Sequence, residues 1–403
     1  MKLWLIGLLR SLGRWLLLRR EDARALAHRR WLPLAVFALA VGVALPWLRP
    51  LAAPRFVVAD NALPLPAARH ARAESHLIAN PAAAAHSASL ADLGGGQIGA
   101  VWFAGSKEGA ADVAIVMARF DGYAWSNAQT IMTRQQVQHD TQRLIRKLGN
   151  PVLWRDGNNL LHLWFVSVSW GGWAGSAVNH STSNDGGNNW SPVQRLITSP
   201  FWNLSTLVHG APLPLTDGGV ALPVYHEFFT KHPEWLRLDG RDRVQEKQRL
   251  PGSRRLFQPT AATLDGERAL ALLRDAGGAH RIHLARSEDG GAHWQAAQAT
   301  DLPNPDAGIA LLHLADGRLL LAYNPQESNR TQLALSVSSD EGASWSPPHF
   351  IEQGSGEDEF SYPALLQDER GMIHLAYTFK RQQIKHLTFG PAWLSAHAVE
   401  GRR

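Results

Sequence analysis

Residues 284–294 read LARSEDGGAHW, and a serine, an aspartate, a glycine and a tryptophan at this spacing occur twice more. Ser183, Asp185, Gly187 and Trp190 stand in STSNDGGNNW; Ser338, Asp340, Gly342 and Trp345 stand in SVSSDEGASW. A degenerate copy, ARFDGYAW, surrounds Asp121. The residue types describe a corner: an aspartate can accept from turn N–H groups, glycine tolerates positive φ, and tryptophan covers the bend. The motif therefore reads as a structural device, and Asp185, Asp289 and Asp340 are not expected to do chemistry.

Outward from these corners, six segments pair two short apolar runs across a turn. They begin at His86, Asn150, Gly210, Gln258, Asp306 and Tyr362, as in NPVLWRDGNNLLHLWFVS and QPTAATLDGERALALLRD. Each reads as a β-hairpin from its turn chemistry. The spacing between turns leaves room for two further strands per unit, with a serine–aspartate corner between them. No stretch after residue 80 sustains a helical apolar period. The expected fold class is all-β, a six-bladed β-propeller over residues 80–395, with the first strand of each hairpin lining the channel.

The 403 residues carry a net charge of +5 and 45% hydrophobic residues, enough for a large core. Eight Lys and Arg against two acidic residues make residues 1–30 alone more basic than the whole chain. No basic groove remains for nucleic acid, which is not expected as a partner. The chain has no cysteine, so disulfides and thiolate metal sites are excluded.

Residues 31–48, WLPLAVFALAVGVALPWL, hold no charge over eighteen positions and have tryptophan near both ends, the pattern of a short N-terminal transmembrane helix. The preceding arginines orient it with residues 1–30 as a cytoplasmic basic amphipathic segment and the propeller periplasmic or extracellular. A cleaved signal peptide is the competing reading, disfavoured by thirty residues of leader. Residues 49–79, rich in Pro, Ala and Arg, are expected to be a linker.

The serine–aspartate corner resembles the Asp box of the sialidases and related BNR-repeat proteins, and the chain from about residue 80 to 390 resembles that superfamily. The stretches WFAGSKEGAADV, LPVYHE, FSYP and YTFKRQQIKH look like a bacterial neuraminidase-like branch. The resemblance implies an exo-glycoside hydrolase acting on an acidic sugar such as sialic acid. It implies Tyr362 of FSYPALL as nucleophile and Asp112, or nearby Glu108, as the acid. It implies Arg274 and Arg330 as clamps on a substrate carboxylate, with Asn150 and Arg381 also binding substrate.

Two arginines suit bidentate binding of a carboxylate, and a neutral tyrosine can approach an anionic sugar where a carboxylate nucleophile would be repelled. Two positions depart from the family pattern. His86 stands where its first arginine would be, and Gln258 where the glutamate that activates the tyrosine would be. Glu227 or Glu359 could supply the missing base, and His86 could serve as acid, base or carboxylate ligand. Trp170 and Trp173 of SWGGWAGS form a candidate sugar-stacking platform.

His180, His209 and His226 with Glu227 lack any recognised metal spacing, and no metal or cofactor is expected. A uronate-directed polysaccharide lyase or hydrolase and a non-catalytic glycan-binding or assembly protein are the alternative functions. A G-x-S-x-G nucleophile motif is missing, which argues against an esterase.

Overall fold

The computed structural model describes residues 33–39, 54–58, 72–199 and 203–400. The chain divides into two compact units, Met1–Ala52 and Ala53–Arg403. In the first, residues 33–39 are helical. The rest of the expected span 31–48, and the segment 1–30, lie outside the described residues; among those described, no helix is long and apolar enough to cross a membrane.

The second unit is built of six sheets, each antiparallel. β1 (Glu74–Ile78) is set aside for the end. Blade 1 is β2 (Ala84–Gly94), β3 (Gln97–Gly105), β4 (Ala114–Phe120) and β5 (Gln129–Met132). After helix α1 (Arg134–Thr141) comes blade 2, with β6 (Lys147–Arg155), β7 (Leu161–Val168), β8 (Ser176–Ser183) and β9 (Gln194–Arg195). In blade 3 the inner strand is split into β10 (Leu207–Val208) and β11 (Leu213–Pro214), both pairing β12 (Val220–His226), followed by β13 (His232–Leu238) and β14 (Val244–Arg249).

Blade 4 is β15 (Leu256–Thr263), β16 (Ala269–Asp275), β17 (Arg281–Ser287) and β18 (Gln298–Pro303). Blade 5 is β19 (Ala310–His313), β20 (Leu319–Tyr323), β21 (Gln332–Ser338) and β22 (His349–Gln353). Blade 6 is β23 (Phe360–Gln367), β24 (Ile373–Phe379) and β25 (Gln383–Phe389), completed on its outer edge by β1, and helix α2 (Pro391–Glu400) follows. β1 closes the ring by pairing antiparallel with β25, Glu74 opposite Thr388 and Ile78 opposite Ile384. The edge strand of the last blade is thus taken from the chain's other end.

The core consists of six apolar clusters, one in each seam between neighbouring blades. Because each blade is covered on both faces, β7 and β16 are buried along their whole length and read as continuous apolar runs rather than alternating ones.

The three serine–aspartate corners fold alike between the third and fourth strands of blades 2, 4 and 5. Ser183, Ser287 and Ser338 donate their hydroxyls to Asp185, Asp289 and Asp340 at 2.8, 3.0 and 2.7 Å. Gly187, Gly291 and Gly342 donate their N–H back to the same serines at 2.9, 3.0 and 2.8 Å. Hydrogen bonds from Asn189 and Ser344 lower the pKa of Asp185 and Asp340 to about 2. The glycines sit at φ of 86°, 83° and 81° and press on the preceding blade. At Gly291 a Cβ would stand 2.8 Å from Trp235 Nε1.

The domain boundary falls earlier than the sequence suggested. Part of the expected linker 49–79 belongs to the propeller: β1 is a blade strand, and Phe56 is 2% exposed in the seam between blades 3 and 4. Phe56 donates its N–H to Gly266 O at 2.8 Å, Val57 to Pro214 O at 2.9 Å, and the Phe56 ring meets Trp235 edge-on. Composition could not show this, because one aromatic residue in a Pro- and Ala-rich stretch carries no period.

Two substitutions test these contacts. Phe56→Ala should cost about 3–4 kcal/mol by leaving a cavity in the seam, read from urea unfolding. Gly291→Ala should cost roughly 2–3 kcal/mol, because its Cβ meets packed atoms in a left-handed backbone; an unchanged urea midpoint would remove the corner's bracing role.

Candidate functional site

Near the start of each inner strand one non-glycine residue adopts a left-handed backbone. They are Ser87, Asn150, Ser205, Gln258, Asp306 and Tyr362, with φ between 43° and 57°, one in every blade. In blades 1, 2, 4 and 6 the pairing register shifts at this point, with one extra residue on the inner strand: a β-bulge. Asn150, Gln258 and Tyr362 are each followed by proline, which has no N–H to lose from the ladder and is tolerated in a sheet at such a place. The bulges mark where the inner strands leave regular pairing, and Asn150, Gln258, Asp306 and Tyr362 join polar residues of the second strands and neighbouring loops in one network around the channel mouth.

Arg274, at the end of β16 and 6% exposed, is its centre. Its Nη1 donates to Tyr362 Oη at 3.0 Å and to Gln258 Oε1 at 2.5 Å, and its Nε to Asp306 Oδ1 at 2.8 Å. Gln258 Nε2 donates to Tyr225 Oη at 3.2 Å, and Asn150 Nδ2 donates to the same oxygen at 2.8 Å. On the other side Arg330 donates to Asp306 O at 2.6 Å and to Glu359 Oε1 at 3.2 Å. Arg381 bridges Glu359 Oε2 at 2.6 Å and Glu108 Oε2 at 3.1 Å. The rings of His86 and His209 lie 4.3 and 5.3 Å from the Tyr362 ring, centre to centre. A cavity of about 200 Å³ lies beside His86, Lys107, Glu108 and Arg381.

The structure thus gathers Tyr362, Arg274, Arg330, Arg381, Gln258, Asn150, Glu108 and His86 from five blades. Their protonation states differ by environment. Burial lowers the pKa of His86 to about 3 and that of His209 to about 4, so both are neutral near pH 7. His86 therefore brings no positive charge where the resemblance implies an arginine; Arg381 brings a third guanidinium to this side of the mouth. Glu359, although burial opposes its charge, is held at a pKa of about 2 by hydrogen bonds from Arg381 and Ser361 and by the charge of Arg330. It is a fixed anion, too weak a base to activate Tyr362.

Glu227 behaves oppositely. It follows β12 at the mouth, and burial raises its pKa despite Lys231 and Arg274. That is the direction a general acid requires, since the carboxyl holds its proton to higher pH than an ordinary glutamate. Asp112, the acid implied by resemblance, is exposed in the β3–β4 loop. Its two oxygens accept from the Ser106 N–H and hydroxyl, both at 2.9 Å, and these bonds lower its pKa. It serves the loop turn and is poorly suited to donating a proton.

The tryptophans do not form one platform. Trp173 packs on Gly149 with Lys147 Nζ 3.8 Å above its ring, at the mouth. Trp170 is 53% exposed and lines a different cavity. Sequence reasoning missed Tyr225, Asp306 and Lys147, and weighed His209 only as a metal ligand. The signal available for Asp306 was its place at the head of the fifth hairpin, equivalent to Gln258 and Tyr362 in theirs.

The histidines weighed as one metal set occupy three places. His209 faces Tyr362; His226 meets His232 and Glu234; His180 meets His162 and Asp242. Lys247 lies 3.1 Å from Glu234, a cation already paired with that group. His162 Nδ1 and His180 Nε2 are 3.1 Å apart, and blade 6 repeats the pair as His374 Nδ1 and His386 Nε2 at 3.0 Å. There His374 continues to Asp368 and His386 accepts from Trp125, a hydrogen-bonded chain that needs no ion.

A model of the BNR repeat-like domain matches residues 96–375, well over half of the sequence. The chain belongs to that family. This BNR-repeat propeller is also similar to solved structures at low identity. It matches a Hadza microbial sialidase at 15% identity and a TM-score of 0.65, over 77% of this chain and 66% of the other, so it spans just under two thirds of that protein. A protein of unknown function from Dyadobacter fermentans aligns at 15% identity and 0.66, over 79% and 98%. The intramolecular trans-sialidase from Ruminococcus gnavus aligns at 13% identity and 0.62, over 81% and 99%. These likenesses establish the sialidase fold. No curated protein sequence matches the chain.

The buried histidines make stability depend on pH. Their folded pKa values lie below the ordinary value of about 6.5, so the unfolded chain binds more protons on acidification. Their contribution is complete above about pH 6.5 and is lost as pH falls towards about 4 for His209 and about 3 for His86. Between about pH 6 and 4 each should add up to about 1.4 kcal/mol per pH unit to the slope. His86→Gln should flatten urea-derived stability against pH by about one proton; an unchanged slope would mean that His86 titrates normally in the folded state.

Proposed function

We propose that this propeller is a sialidase-like glycoside hydrolase acting on an acidic sugar at the mouth of the channel. The observation that supports this reading most is the Arg274–Tyr362 contact of 3.0 Å, with Arg330 and Arg381 on the same rim. A sugar carboxylate entering there meets guanidinium groups in place of their present carboxylate and carbonyl partners. Tyr362 Oη then gives its proton to solvent and bonds to the anomeric carbon as the glycosidic C–O bond breaks, and Glu227 gives its proton to the departing oxygen. Arg274 Nη1 holds the same oxygen by its hydrogen bond. Water hydrolyses the glycosyl–tyrosine bond in a second step.

A non-catalytic glycan-binding protein is favoured by one observation: Gln258 holds Arg274 and Tyr225 with its amide, and no carboxylate contacts Tyr362 among the described residues. The sequence of residues 31–48 supports display of the propeller outside the cytoplasmic membrane on an N-terminal anchor.

Release of fluorophore from aryl sialosides and glucuronides distinguishes the two readings. The hydrolase reading expects turnover that Tyr362→Phe lowers by about 10²-fold or more and Gln258→Glu raises, by placing a carboxylate on the Arg274 nitrogen that meets the phenol. No turnover by the native chain or by Gln258→Glu, with an acidic sugar still bound, would replace the hydrolase by the binding protein.

A further inference from the structure

A second cavity, of about 580 Å³, lies over blades 2 and 3, within the ordinary size range of small-molecule sites. It opens beside the β7–β8 and β12–β13 connections, which leave the sheets at the same face as the polar ring. Arg143, Arg195, Trp170 and Phe228 are among its walls, and among the described residues no carboxylate is. Neither arginine forms an ion pair among the described residues. Arg195 donates Nη2 to Asn203 O at 3.0 Å, while its Nε is buried without an acceptor. Burial and the neighbouring Arg143 charge both lower the pKa of Arg195.

Two like charges facing one cavity, one of them with a buried and unused donor, are costly unless an anion enters. This contrasts with the channel mouth, where Arg274, Arg330 and Arg381 each already have an acidic partner. Trp170, 53% exposed, lines the same cavity as the two arginines and brings it a flat apolar ring. An apolar face next to paired cationic donors matches a pyranose ring that carries an acidic substituent.

We propose that this cavity is a second saccharide site, taking an acidic sugar residue whose carboxylate or sulfate is held by Arg143 and Arg195 and whose ring lies on Trp170. The site does not depend on turnover at the channel mouth. It would let the propeller hold a neighbouring acidic unit of a glycan.

The test uses the full chain, with 3′-sialyllactose, galactose 6-sulfate and lactose as probes in calorimetry or saturation-transfer NMR. An Arg330→Ala/Arg381→Ala variant removes rim charge from the channel mouth. The proposal expects that this variant still binds one or both acidic probes, preferring them to lactose, and that adding Arg143→Gln or Arg195→Gln weakens the remaining binding by roughly tenfold or more. Which acidic probe is retained identifies carboxylate or sulfate as the group recognised. Arg143 is exposed, so its substitution tests the site even if Arg195→Gln impairs folding.

Acidic-probe binding lost entirely in the Arg330→Ala/Arg381→Ala variant would overturn the second site and leave the channel mouth as the sugar site. Binding abolished by Arg143→Gln in the otherwise native chain, and indifferent to Arg330→Ala/Arg381→Ala, would support the second site and remove the channel-mouth reading. Lactose bound as tightly as the acidic probes, or no probe bound by any form, would overturn the proposal.

Discussion

Six left-handed residues, one near the start of each inner strand, are the constraint on which the site depends. A non-glycine residue at positive φ costs on the order of 1–3 kcal/mol, and six occur at equivalent places in one ring. Such strain persists only where the surrounding structure holds it, here the buried pairing of the first two strands and the seams on either side. At these bulges the side chains of Asn150, Gln258 and Tyr362 join a hydrogen-bonded network where an unbroken strand would continue its ladder.

The network gathered there is nearly saturated. Arg274 is satisfied by Asp306, Gln258 and Tyr362, and Glu359 by Arg330, Arg381 and Ser361. Saturation fixes the positions of guanidinium groups before any ligand arrives, which is how a rigid scaffold lowers the cost of binding. It also fixes charge: Glu359 stays ionised, His86 and His209 stay neutral, and Glu227 is the carboxyl whose burial favours retaining a proton. At position 258 the side chain meets Arg274 and the Tyr225 hydroxyl, and there the amide of Gln258 brings no charge.

Much of this architecture was legible in the chain. The three serine–aspartate corners and six hairpins gave the propeller, since both signals are local: a turn needs its glycine and its aspartate within a few residues. Tyr362, Arg274, Arg330, Gln258 and His86 were legible through resemblance, and the structure brings them within one network. Less legible were residues whose role depends on a partner far along the chain. Phe56 and β1 looked like linker because their partners, Trp235 and β25, lie some 180 and more than 300 residues away. The bonds from Ser106 to both oxygens of Asp112 are local, yet they follow from the shape of the loop and not from its residue types.

The sequence by itself determined the repeating unit, the number of blades, the positions of the corners and the chemical types available at the inner-strand starts. These follow from short-range periodicity and backbone preference, which residues carry wherever they stand. Only the tertiary structure decided which charges meet, which histidines lose their proton and which arginines remain without an acidic partner. Those are matters of distance and desolvation, and closing the ring sets both at once by bringing residues from all six blades to a single mouth.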